Sequence, residues 1–334
     1  MEKPILSKQY LTDRTMFIEK VLQRSARAVL ITRPPKSGKT TTLNMLREFL
    51  DITQDSGSIF QNLNRIPAKE MNSSPVICLS FSNTADNPYG PVHTVKRQLF
   101  REYRKYSFVT KNEDPAYQEK FSIYLRCMLD SSTPLSHIID AVSFLAELLN
   151  RYYGKSTAVL IDEYDAPVIN AYSFGCYAEF LSEYEIMLSS ALKTSESVHL
   201  AALTGTNYIG GPDNMIVYPS FNENNTIQAQ HMYSDISKYF CEPFFKIHTE
   251  SLRSDLIQIL SSNMEEIPLR QKIRFDHLTS IYDYLSLYVN YGLLTAENHR
   301  KDEFGYDVYD LQIPNPEAGK VLKNILTPLP HQFP

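Results

Sequence analysis

The sequence predicts an α/β fold: a parallel sheet between two layers of helices, with a smaller and mainly helical domain after it. Three observations predict it. Short apolar runs alternate with amphipathic helical patterns along most of the chain. The first of those runs leads through a Pro-rich turn into Gly38-Lys39-Thr40 and a helix. A later run stops abruptly on two carboxylates, Asp162 and Glu163.

The chain has 334 residues, enough for one large domain or two ordinary ones. With 43% hydrophobic residues it can bury a core, and a formal net charge of −5 gives no global signature of nucleic-acid binding. Cys78, Cys127, Cys176 and Cys241 stand far apart and form no CxxC pair, which argues against a zinc site or a disulfide framework. They favour a reducing compartment. No apolar run reaches the roughly 18 residues of a membrane span, and MEKPILSKQY carries no signal-peptide core. An intracellular protein, cytoplasmic or nuclear, without a membrane partner is expected.

In chain order, Phe17, Ile18, Val21 and Leu22 form one face of a first helix that Thr12 or Asp13 would cap. Tyr10 or Phe17 is placed to stack on a base, although core packing weighs more for both. Ala28–Ile31 is a strand, and Leu43, Leu46 and Leu50 mark the helix after it. Residues 51–74 read as a loop with a short helix, and Pro75–Phe81 as a buried parallel strand. From Val92 to Lys111 runs a basic segment in which Arg97, Arg101 and Arg104 share a helical face. A solvated face outweighs a nucleic-acid or acidic-partner patch there. Pro134–Tyr153 is an amphipathic helix closed by Gly154, followed by the strand Thr157–Ile161. Tyr172–Lys193 is a further helix and Val198–Thr206 a further strand, in which His199 is a satisfied or exposed residue rather than a ligand. Gly210–Asn225 reads as a long loop, and Thr226–Met232 as the fifth strand. Helices over 252–262 and 277–289, strands over 291–295 and 306–311 about a charged turn at 298–303, and a last helix over 317–326 complete the chain. The division expected is an α/β domain over 1–232 and a smaller helical or winged-helix-like domain over 233–334.

The chemistry follows from spacing. A strand, a turn, Gly-Lys-Thr and a helix form the context of a phosphate-binding loop, or Walker A motif. Its residues here are Arg33, Pro34, Pro35, Lys36, Ser37, Gly38, Lys39, Thr40 and Thr41. Such a loop turns backbone N–H groups onto phosphate oxygens and adds the positive end of the helix dipole. Gly38 permits the close approach, Lys39 reaches the outer phosphates and Thr40 ligates Mg²⁺. Where most such loops begin with Gly, this one has Arg33. In a parallel sheet ligands sit beyond the carboxyl ends of the strands, where Asp162, as a Walker B carboxylate, would hold Mg²⁺. Glu163 would polarise an attacking water, and Asp165 would cap the following helix or support Glu163, with capping favoured. In ATPases built on two such motifs, the strand between them carries a polar sensor. Thr204 and Thr206 are the candidates, and Thr204 is assigned the catalytic role beside Glu163 and Lys39.

Tyr10…Asp13-Arg14-Thr15…Phe17-Ile18, Leu30–Thr40, Leu160–Pro167 and Leu203-Thr204-Gly205 together resemble the AAA-ATPase-like family, which is related to archaeal-type and STAND ATPases. The resemblance covers roughly residues 5–235 and resumes at Tyr291–Thr295 and Ile313–Leu326. It accounts for Arg33, since members commonly carry Arg-Pro there. It implies a P-loop NTPase three-layer sheet of the ASCE type with strand order 5-1-4-3-2, holding ATP and Mg²⁺. Three departures stand out. Tyr208 occupies the place of a usual sensor arginine, the stretch 249–276 looks shortened, and no PD-(D/E)XK nuclease-like module follows. Nuclease activity is therefore not expected. No Asn/Thr-Lys-x-Asp guanine motif is present, which favours ATP. The function expected is Mg²⁺-dependent ATP hydrolysis driving a conformational change. The alternative is a nucleotide-binding switch or adaptor with negligible hydrolysis. A protein partner or self-association is expected without a named partner, and nucleic acid is the less favoured option.

Overall fold

A computed structural model describes residues 15–23, 26–60, 68–82, 87–211, 215–218, 245, 247, 249–262 and 264–327. Five parallel strands run through its centre: β1 (Ala28–Thr32), β2 (Val76–Ser80), β3 (Thr157–Asp162), β4 (Val198–Gly205) and β5 (Ile216–Tyr218). Their spatial order is β2-β3-β4-β1-β5, the order that the resemblance implies. β1 and β3 are buried along their whole length, as their uninterrupted apolar sequence requires of strands covered on both faces.

Alternation within each strand builds the layers. Val29, Ala158, Leu160, Leu200 and Ala202 face α1 (Thr15–Leu22) and α2 (Lys39–Leu50), packing with Ile18, Val21, Leu43, Leu46 and Phe49. Leu30, Ile77, Val159, Ile161, Ala201 and Leu203 face the other way. There they meet α3 (Pro91–Lys105), α4 (Pro115–Leu129), α5 (Ala141–Tyr153), α6 (Ala166–Ser173) and α7 (Tyr177–Ser189). Successive strand residues point to opposite faces, so this is a three-layer α/β/α arrangement. α3 also protects the sheet edge. Glu102 accepts from the Cys78 N–H at 3.1 Å, and the Tyr106 hydroxyl donates to the Val76 carbonyl at 2.6 Å.

Several boundaries differ from expectation for identifiable reasons. β5 lies at 216–218, inside the segment read as a loop; the Asn-rich surroundings hid Met215-Ile216-Val217-Tyr218. The strand expected over 226–232, the proposed domain boundary at 232/233, Tyr10 and both α1 caps lie outside the described residues. α5 starts at Ala141 because Pro134 leads only a single 3-10 turn, Leu135–Ile138. It ends at Gly154 with φ 63°, as expected. The helix read from Tyr172 to Lys193 starts only at Tyr177, as α7; Tyr172 and Ser173 end α6, and Gly175 between the two has a φ of 71° that no continuing helix adopts. α4 went unread although Asp114 caps it and Pro115 opens it.

After the sheet come α8 (Glu250–Leu260), β6 (Ile267–Pro268), α9 (Ile281–Asn290), β7 (Thr295–Lys301), β8 (Asp307–Gln312) and α10 (Pro316–Leu326). The three strands form an antiparallel sheet ordered β6-β8-β7. Residues 291–294 are a turn rather than a strand, and the charged stretch 298–301 belongs to β7. Its turn lies at Asp302–Tyr306, where the Asp302 carboxylate accepts from the N–H groups of Phe304 and Tyr306. The charges misled because β7 is largely exposed. α9 begins after a Ser280–Asp283 capping box rather than at His277.

Candidate functional site

Four strand ends and one helix start converge on a single cluster. The turn after β1 reverses through Lys36 at φ 62° and Gly38 at φ 85°, and Gly38 is the residue before the first turn of α2. Lys39 is buried, and its amine donates to the carbonyls of Arg33 at 2.7 Å and Pro34 at 3.0 Å. Burial lowers the Lys39 pKa, opposed by the carboxylates of Asp165, Glu163 and Asp162 in that order. Pro35 is buried, Lys36 exposed, and Thr41 half-buried on the first turn of α2. The Ser37 hydroxyl is buried with no hydrogen-bond partner among the described residues. The Arg33 guanidinium donates to the Thr32 carbonyl at 2.8 Å and to the Tyr218 carbonyl of the edge strand β5 at 3.0 Å.

Asp162, the last residue of β3, accepts from three hydroxyls: Thr40 at 2.7 Å, Thr204 at 2.5 Å and Ser82 at 3.2 Å. Thr204 also accepts from the Glu163 N–H at 3.3 Å. Of the two threonine candidates, Thr204 thus joins the cluster, whereas the Thr206 N–H turns to Asp165. Glu163 sits at φ 50°, a left-handed conformation uncommon for Glu, immediately after the strand. Burial pushes its carboxyl up to about 7; Asp165 and Asp162 act in the same direction and Lys39 opposes them. A carboxyl poised there exchanges protons near neutral pH.

Asp165 corrects an expectation. It occupies the position before α6 but its side chain makes no cap hydrogen bond. Instead, fully enclosed, it accepts from the main-chain N–H groups of Thr206 and Asn207, and from the Asn207 side-chain amide at 3.2 Å. Gly205 makes room for this, since a Cβ there would lie 2.7 Å from the Asp165 carboxylate and 2.8 Å from the Tyr164 ring. Ser82 and Asn207 escaped sequence reading. Ser82 had a signal, a hydroxyl just past a strand end; Asn207 had none, being one Asn in a polar run.

Other candidates fall elsewhere. Phe17 is half-buried and packs against the core beneath α2. His199 reaches the Thr157 carbonyl at 3.1 Å and the Ser74 hydroxyl at 3.5 Å, the satisfied strand residue expected. Arg97, Arg101, Arg104 and Lys105 are exposed and line a groove with His93 and Phe100. Lys96 leaves that face, buried against the carbonyls of Asp130 and Thr133. Tyr208 forms a main-chain bridge, its carbonyl accepting from the Ile273 N–H at 2.9 Å. Among the described residues no helix is long and apolar enough to cross a membrane.

A family model described as predicted AAA-ATPase matches residues 2–211. The chain belongs to the AAA-ATPase-like family. The matched span takes in β1 to β4, the Lys39 loop, Asp162, Glu163 and Asp165, so every group of the cluster lies inside the AAA-ATPase-like region. β5 and the helices and strands from α8 onward lie beyond it. Among curated proteins none matches the chain.

Proposed function

We propose that this chain binds ATP with Mg²⁺ on residues 33–41 and hydrolyses it, driving a conformational change of its C-terminal part. One observation carries the reading: Asp162 gathers the hydroxyls of Thr40 and Thr204 beside buried Lys39, at the carboxyl ends of parallel strands.

The residues present suit the ligand. The Ser37 hydroxyl is a buried donor in want of an acceptor, and the start of α2 offers N–H groups to an anion. Among the described residues no group of three or more His, Cys, Asp or Glu stands ready to hold a metal alone. A Thr hydroxyl and one carboxylate suit Mg²⁺, which keeps several waters and takes further oxygens from phosphates. MgATP, when bound, supplies the phosphoanhydride bond and a divalent charge that offsets the phosphate oxygens. Lys39 would hold the outer phosphates, and Thr40 and Asp162 the metal. Glu163, close to half ionised near pH 7, would take the proton of the attacking water. Thr204 holds the Asp162 carboxylate and the Glu163 main chain, donating to the one and receiving the N–H of the other.

Residues 233–334 are read as the lid, of winged-helix-like type. A second reading, an ATP-dependent switch or adaptor with negligible turnover, draws support from Tyr208 at the place of the sensor arginine. An arginine on the transferred phosphoryl group can contribute about 10³–10⁵ in rate. Steady-state ATP turnover and nucleotide binding, measured together for wild type, Lys39→Ala and Glu163→Gln, separate the two. Hydrolysis predicts turnover in wild type, lost binding in Lys39→Ala, and binding without turnover in Glu163→Gln. Binding with equal silence in turnover for wild type and Glu163→Gln would select the switch. ATP binding that survives Lys39→Ala and Thr40→Ala would remove both.

A further inference from the structure

The turn that ends α9 touches the candidate site twice. Its first contact runs through Asn207, which is fully buried. The Asn207 amide nitrogen donates to Asp165 at 3.2 Å and to the Tyr291 hydroxyl at 3.3 Å, and its oxygen accepts from the Asn290 side-chain amide at 3.3 Å. Every hydrogen-bonding atom of the amide is thereby used, and the orientation is determined: the reverse assignment would set an oxygen against the Asp165 carboxylate. The second contact is Gly292, at φ 76°. A Cβ there would stand 3.3 Å from the Pro34 side chain. Pro34 is one of the two residues whose carbonyls hold the Lys39 amine. Asp165, at the other end of the amide, is the carboxylate that most favours the charged form of Lys39.

We propose that Asn207 is a positioning residue that couples the phosphate loop to the C-terminal helices, with Asn290, Tyr291 and Gly292 as the receiving turn. It acts through Asp165 and touches no reacting atom. A shift of the Lys39 loop on binding phosphates moves Pro34 under Gly292, and a shift of Asp165 moves the buried amide that carries Asn290 and Tyr291. Buried, fully satisfied polar networks have few alternative arrangements, so the turn follows the loop rather than absorbing its motion. The inference rests on the ATP reading and supplies its missing link, the route from ligand to lid.

The turn carries its own reporters. The N–H groups of Tyr291, Gly292, Leu293 and Leu294 are bonded to carbonyls of Leu287, Val289 and Tyr288 at 2.8–3.2 Å, so their hydrogen exchange measures opening of this turn. Exchange over residues 288–294 is measured by mass spectrometry on the full chain, with and without a non-hydrolysable ATP analogue and Mg²⁺. The proteins are wild type, Asn207→Ser and Tyr291→Phe; the last removes a single hydroxyl and serves if Asn207→Ser folds poorly. Wild type should bind the analogue and slow exchange in the turn by about threefold or more. Both variants should bind within about threefold of wild type, yet lose at least about half of that protection. Their kcat should fall about tenfold with KM held, a split that a merely structural role would not give. An analogue that binds wild type while leaving 288–294 unchanged overturns the coupling and leaves the ATP reading standing. So does full protection in both variants. If wild type binds no analogue, the ATP reading itself fails and the coupling falls with it.

Discussion

Two parts of this molecule use the same acidic side chains in opposite ways. At the carboxyl ends of β3 and β4, Asp165 is enclosed and Glu163 half-buried, and burial raises the pKa of both, Glu163 to about 7. On the sheet β6-β8-β7, Asp310 receives the Arg300 guanidinium at 2.9 Å and the Asn298 amide at 2.9 Å, which pull its pKa down to about 2. Asp307 is likewise lowered, first by His299. The difference is what surrounds the carboxylate. A partnered carboxylate in water is stable and idle, whereas one held among other carboxylates is costly to the fold and chemically ready.

The largest effect should come from Glu163. Glu163→Gln keeps the shape and one acceptor but cannot take a proton, so turnover should fall about 10²–10⁴-fold with nucleotide binding retained. Loss of turnover by less than about threefold would place the proton acceptor elsewhere and break the contrast at its functional end.

The stability of the same variant sharpens it. The folded-state pKa of Glu163, about 7, lies above its ordinary 4.5. Between those values the native chain holds a proton that the unfolded chain has lost, so stability falls as pH rises through this window. Denaturation without nucleotide or metal should find Glu163→Gln more stable than wild type at pH 8, by on the order of 2–3 kcal/mol. The gain should vanish below about pH 4.5, the ordinary value. A gain independent of pH would point to packing instead.

The same contrast explains how much the sequence revealed. Buried strands that end in polar residues are legible, because burial on both faces demands continuous apolar residues and the polar residue that breaks the run marks the strand's end. Ala28–Ile31, Thr157–Ile161 and Val198–Thr206 were read this way, and the structure brings Lys39, Thr40, Asp162, Glu163 and Thr204 together at or near their carboxyl ends. β7 was misplaced because an exposed strand has no such requirement and its charges imitate a turn. β5 was missed because a three-residue strand leaves almost no pattern. Asp165 and Asn207 were unreadable for a different reason. Their roles depend on each other across the gap between β3 and β4, and nothing local in either segment records the partner.

A smaller effect is expected at Gly205, where the buried carboxylate needs space. Ala there would push its methyl against Asp165 and the ring of Tyr164, both enclosed and unable to retreat. Overpacking of this kind costs about 1–3 kcal/mol, so Gly205→Ala should lower the melting temperature measurably and weaken turnover with it. A fold and activity equal to wild type would mean that the Asp165 enclosure yields easily, and the site would be less rigid than its hydrogen bonds imply.

The smallest effect belongs to the exposed sheet. Arg300 pairs with Asp310 at 2.9 Å and Glu266 at 3.5 Å, near enough for three charges to look like a stabilising network. Solvent screens them, and each long side chain gives up conformational freedom to hold the geometry. Arg300→Ala should therefore shift the melting temperature by no more than about 2 °C at neutral pH, and turnover not at all. The Asp310 pKa is depressed, so what the pair contributes is present above the ordinary carboxylate value of 3.8 and lost as pH falls through about 2. Thermal scans at low and high salt test this directly. A large loss that disappears in high salt would show the exposed charges to be as consequential for the fold as the enclosed ones, and the division between idle and working carboxylates would not hold.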